Sequence, residues 1–126
     1  MHTITDHKCS DANSTISITC DEQSNGGASH VYDISFECGD VLENEGGTSV
    51  QRIKFQKGAI GEVGLNGITD EVLVAVLIDR LRKFQSGPFP CRENALALTR
   101  LQEAMHWMQH RTNDRVKRGV EGTSAA

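Results

Sequence analysis

Residues 110–123 read HRTNDRVKRGVEGT, and their spacing points to anion chemistry. Arg111, Arg115 and Arg118 stand at intervals of four and three, with Lys117 among them. At 100° per residue these three arginines share one flank of a helix. A guanidinium offers a planar fork of donors that matches phosphate or carboxylate oxygens two at a time. Two readings are open at this point. The cluster could hold an anionic ligand, or it could simply place cations at the negative end of a helix dipole. Phe84, an aromatic at the end of an apolar helix, reads as core or interface packing. Asn94, near the start of the same helix as the arginines, reads as a capping or first-turn residue unless it joins them at a ligand. Asn94 and Arg111 are separated by about 25 Å along one helix at 1.5 Å per residue. One hairpin cannot easily bring both to one small ligand, whereas two antiparallel copies can.

The chain offers little for covalent catalysis. There is no G-x-S-x-G elbow and no P-loop. The stretch GAIGEVGLNG spaces its glycines evenly, which suits turns better than a phosphate-binding motif. His106 and His110 are four apart, but HWMQH lacks the glutamate of a metalloprotease helix. Cys91, His110 and Asp114 form a triad only on paper, since nothing in their spacing requires one. His7, Cys9, Cys20, His30 and Cys38 match no common zinc spacing. His106 and Trp107 suit a surface or an interface.

Charge narrows the partners. The net charge of -4 conceals two unlike halves. Residues 1–50 carry nine acidic residues against Lys8 alone, while residues 51–126 carry twelve Lys and Arg against eight acids. A general nucleic-acid binder is normally basic throughout. A local basic site for a small anion fits better. The four cysteines form no C-x-x-C pair, and no apolar run is long enough for a membrane span or a signal peptide. The reading is a cytosolic chain with reduced thiols, in which the Asn13-Ser14-Thr15 sequon carries no meaning.

The elements that must position these residues follow from periodicity. STISITC, HVYDISFEC and VQRIKFQKG alternate apolar and polar residues, which predicts half-buried strands. Asn25-Gly26-Gly27 and Glu45-Gly46-Gly47 supply the turns between them. The expected sheet has one apolar face, and residues 69–85 are expected to cover it as a helix. Thr69 is its N-cap, and Asp70 and Glu71 suit its positive end. Val72 to Ile78 is apolar nearly all round, which predicts burial on more than one side. Gly87, Pro88 and Pro90 then stop the helix and start another from about Cys91 to Arg118, with Gly119 as its terminator. Leu98, Leu101, Met105 and Met108 form a narrow packing seam along it. A short loop between the two helices makes them an antiparallel hairpin. The fold class is α+β: an antiparallel β-sheet region over 1–66 followed by a helical hairpin over 67–126, in one compact domain. Residues 1–13 and 121–126 are expected to be disordered unless something ties them down.

The segment FQSGPFPCRENALALTRLQEAMHWMQHRTNDRVKRGVEGT resembles the helical hairpin of two groups of phage anti-defence proteins. The most telling pieces are the RENALAL helix start and the R-T-x-D-R-x-x-R-G-V-E-G-T end, and the resemblance covers about residues 51–126. One group sequesters the cyclic-ADP-ribose-type signal of bacterial Thoeris immunity; the other sequesters the cyclic oligonucleotides of CBASS immunity. Both act as sponges that hold the messenger intact. The anti-Thoeris group carries an N-terminal β-domain, as this chain is expected to, which favours that side. The resemblance implies that Phe84, Asn94, Arg111 and Arg115 hold a cyclic ADP-ribose isomer, with Arg118, Gly122 and Thr123 as additions. It also implies a homo-oligomer (dimer or hexamer), no cofactor and no catalysis, and a place in the cytoplasm of the infected bacterial host. Cyclic di- or trinucleotides are a second ligand class it admits. Membranes and nucleic-acid polymers are not among the expected partners. The alternatives are an enzyme that degrades the signal and a DNA- or partner-binding accessory protein.

Overall fold

The computed structural model describes residues 1–39 and 47–125. Glu45 and Gly46 of the expected second turn lie outside those residues. The chain divides into two compact units, Met1–Gly58 with Leu65–Gly67, and Ala59–Gly64 with Ile68–Ala126.

The first unit is a four-stranded antiparallel sheet in the order β1-β2-β3-β4. β1 spans His2–Ile4, β2 Ser17–Cys20, β3 Val31–Glu37 and β4 Thr48–Lys54. The three predicted strands form, although burial does not alternate along β3, where six of seven residues are half-buried, and cross-strand pairs hold the register. Asp33 lies opposite Arg52, and the guanidinium closes on the carboxylate at 2.8 and 3.0 Å. Tyr32 meets Phe55 edge to face at 5.5 Å. Such pairs are the unit of sheet stabilisation. Asp21 braces the start of β3, its carboxylate accepting from the backbone N–H of His30 and of Val31.

β1 differs from the expected disorder of the N-terminus. His2, Thr3 and Ile4 pair with Cys20, Thr19 and Ile18, and the terminal amine meets Glu22 at 2.7 Å. Pairing with β2 supplies what three residues lack on their own. A short helix, α1 at Asp11–Ser14, links β1 to β2, capped by the Ser10 hydroxyl.

The second unit is built on two helices, α3 at Asp70–Ser86 and α4 at Arg92–Arg118, preceded by one turn of helix, α2, at Ile60–Val63. Thr69 Oγ1 accepts from Val72 N and so caps α3. Cys91 Sγ does the same for Asn94 N in α4. Gly119 adopts a left-handed φ of 74° and terminates α4, as a C-terminal glycine should. α3 and α4 pack together, with Val74, Ile78 and Leu81 facing inward and Leu98, Leu101, Met105 and Met108 opposite at least half-buried. Ile78 alone of these is buried, at 6% exposure. The expected burial of α3 on more than one side is not found: Ile78 faces α4, while Val72, Val76, Leu77 and Phe84 stay exposed to solvent. α4 has 27 residues against 17 in α3. It therefore runs on past its partner for about ten residues, roughly 15 Å at the helical rise. The arginine cluster lies in this overhang.

Candidate functional site

The loop end of the hairpin is closed by one side chain. The Gln85 amide donates to Cys91 O and accepts from Cys91 N, both at 3.0 Å. This two-way bridge satisfies backbone groups that the Pro-containing link would otherwise leave free, and it fixes the end of α3 against the start of α4. Asn94 sits half-buried in the first turn of α4. Phe84, 48% exposed, sits in the last turn of α3. Arg80 lies one turn before Phe84, its Cζ 5.4 Å from the ring centroid, within cation–π range. Arg80, Lys83 and Phe84 line an open depression of about 280 Å³. Lys83 pairs with Asp79 at 2.9 Å, while Arg80 has no acidic partner among the described residues.

The opposite end of α4 is organised by Arg115, which is only 7% exposed. Its Nε donates to Glu121 Oε2 at 3.1 Å. Its Nη1 donates to Ala125 O at 2.8 Å, and its Nη2 to Val120 O and Thr123 O at 2.9 and 3.2 Å. The C-terminal segment thus folds back around one guanidinium, which replaces the expected disorder over 121–125. Thr123 Oγ1 donates to Val120 O and accepts from Ala125 N, tightening the same turn. Gly122 takes a φ of 80° within it. Arg111 lies one turn before Arg115, exposed, with no ion pair among the described residues. Arg118 pairs with Asp114 at 3.0 Å.

Arg111, Arg115, Arg118, Gly122 and Thr123 therefore gather at one end of α4, and Phe84 and Asn94 at the other. About 25 Å of helix separates Asn94 from Arg111. The paper triad does not assemble. Cys91 caps the start of α4, whereas His110 lies 19 residues further on with its ring against exposed Trp107 at 5.8 Å. Asp114 is paired with Arg118. Among the described residues no three His, Cys, Asp or Glu side chains cluster as metal ligands, and no helix is long and apolar enough to cross a membrane. Sequence reasoning passed over Arg80 and Gln85. The spacing of Arg80 from Phe84, four residues on one helix, was the available signal for the first. Nothing in the sequence marks Gln85.

Comparison with known proteins bears on this hairpin directly. Residues 47–112 match the Acb2/Tad1 hairpin domain, which is more than half of the chain. The chain belongs to the Acb2/Tad1 hairpin family. The match runs from β4 through α3 into α4, so it includes Phe84, Asn94 and Arg111 and ends before Arg115. Among curated proteins the chain is similar to "Thoeris anti-defense 1" of Bacillus phage SBSphiJ7, at 51% identity over 71 residues. That alignment takes in 56% of this chain and 50% of the relative, so the chain spans about half the length of the curated protein it matches.

Proposed function

We propose that this Acb2/Tad1 hairpin protein is a phage anti-defence factor that binds a cyclic ADP-ribose isomer, the messenger of Thoeris immunity, and holds it without cleaving it in the cytoplasm of the infected cell. The observation that carries the reading is the split of the candidate residues between the two ends of α4. Two copies running antiparallel bring Phe84 and Asn94 of one to the arginines of the other. The uncovered apolar face of α3 supports such an assembly, because an exposed stripe of Val72, Val76 and Leu77 is costly to leave in water. A dimer or a hexamer built on it satisfies the same geometry.

The chemistry matches the ligand. Arg111, with no ion pair among the described residues, brings its guanidinium to the pyrophosphate, with Arg118 further along the same helix. Arg115 has four of its five N–H donors engaged by the tail; it adds charge and shapes the turn that carries Gly122 and Thr123. Phe84 stacks on adenine, a contact worth about 1–3 kcal/mol per base. Asn94 pairs with a base edge or a ribose hydroxyl. Cyclic di- or trinucleotides, the messengers of CBASS immunity, share the phosphates and bases and form a second ligand class. Slow release is all that such a sponge requires. The dispersal of Cys91, His110 and Asp114 favours this over degradation.

Native mass spectrometry with the cyclic ADP-ribose isomer tests the proposal. The expected result is an assembly of two or more copies that gains the mass of the intact ligand. A bound fragment of the ligand, or no uptake by the chain, contradicts it.

A further inference from the structure

The C-terminal turn is held from a second side, by α2. Gly61 N donates to Gly122 O at 2.7 Å. One residue on, both Glu62 carboxylate oxygens accept from Ser124 Oγ, at 3.0 and 2.9 Å. The approach at Gly61 is close enough to exclude any side chain. A Cβ there would stand 2.5 Å from Gly122 O, inside the distance that carbon and oxygen tolerate. Gly61 itself has no left-handed backbone requirement, so its lack of a Cβ serves the contact rather than the turn. The tail is thereby gripped between Arg115 on α4 and a one-turn helix that comes some sixty residues earlier in the chain.

We infer that Gly61 and Glu62 are positioning residues for the ligand site: they hold the Gly122–Thr123 turn at the arginine end so that it can close on the bound phosphates. The inference rests on the proposed sequestration of a cyclic nucleotide at that end. Arg115 ties the turn to α4 through one side chain. The two contacts from α2 reach Gly122 and Ser124 from a second element and restrain the turn further. Ordering the turn before binding lowers the entropy cost of capture and slows release. Neither Gly61 nor Glu62 needs to touch the ligand.

The test uses the full chain with Gly61→Ala, Glu62→Ala and Glu62→Gln. Amide hydrogen exchange over residues 120–125 is measured without ligand, and the dissociation rate of the cyclic ADP-ribose isomer is measured separately. Gly61→Ala is expected to speed tail exchange and raise the dissociation rate about tenfold, with exchange in α3 and the first half of α4 unchanged. Glu62→Ala gives a smaller effect of the same kind, and Glu62→Gln, which keeps an acceptor for Ser124, restores the original rate. Tail protection unaltered by Gly61→Ala overturns the inference. So does a loosened tail that releases ligand no faster. If the unaltered chain takes up no ligand, the sequestration reading fails and the positioning role falls with it. The exchange result, which needs no ligand, still shows whether α2 holds the tail.

Discussion

Arg80 lies over the face of Phe84, with its guanidinium carbon 5.4 Å from the ring centroid and no acidic partner among the described residues. One face of the ring is thus backed by a cation, which restricts the ring and leaves the other face for a base. Removing the cation loses a contact worth about 0.5–1 kcal/mol at an exposed site. Arg80→Ala is expected to weaken binding of a cyclic ADP-ribose isomer about three- to fivefold. Phe84→Ala, which deletes the stacking surface itself, weakens it about tenfold or more. Isothermal titration of both variants checks the order, and equal losses would remove the backing role of Arg80.

Arg111 and Arg115 are one turn apart but differ in their surroundings. Arg111 is exposed, with no ion pair among the described residues, so Arg111→Ala is expected to remove ligand binding while the thermal midpoint stays within a degree or two. Arg115 is buried and gathers four acceptors. Hydrogen bonds to a charged group contribute about 1.5–3 kcal/mol each at most, and Arg115→Ala leaves several carbonyls without their donor. It is expected to release residues 120–125 as well as to lose ligand. Limited proteolysis of the tail separates the two variants: Arg115→Ala is cut early, Arg111→Ala is not.

The outer face of α3 predicts self-association. A monomer of 13.8 kDa exposes Val72, Val76 and Leu77 together. Sedimentation is expected to report a dimer or larger species. Val76→Asp, which introduces a charge into that face, shifts it toward the monomer mass. A monomer for the unaltered chain would remove the shared site.

Acid should act on the sheet. Backbone donors from Val31 and His30 hold the Asp21 carboxyl below its ordinary range, and the Arg52 guanidinium does the same for Asp33. A depressed carboxylate pKa contributes stability above the unfolded value of about 3.9, lost as pH falls through the lower folded value. The thermal midpoint is expected to fall as pH drops below about 4. Asp33→Asn flattens that limb, and an unchanged limb would show that the Asp33–Arg52 pair plays no part.

The elements with strong periodicity were legible in the sequence. β2 and β3 alternate in sequence and β4 does so from Arg52 onward, and α3 and α4 begin and end at the residues whose chemistry demands it, Thr69 and Gly119 among them. β1 was not legible, because three residues carry no period and exist as a strand only through β2. α2 hid in a glycine-rich stretch that reads as turns. The candidate residues were visible as types, and their division between the ends of α4 followed from helical rise alone. The burial of Arg115 could not be read, since it depends on a tail that turns back onto the helix. Gly61 was equally silent: its meaning lies in a contact with Gly122, 61 residues away.

The central claim is that the messenger is held intact. Purified protein is incubated with activated Thoeris signal, washed free of unbound material and heat-denatured, and the released material is applied to the Thoeris effector. The account predicts recovery of unmodified signal that switches the effector on. A degraded product that leaves the effector silent would make this an enzyme and contradict the account.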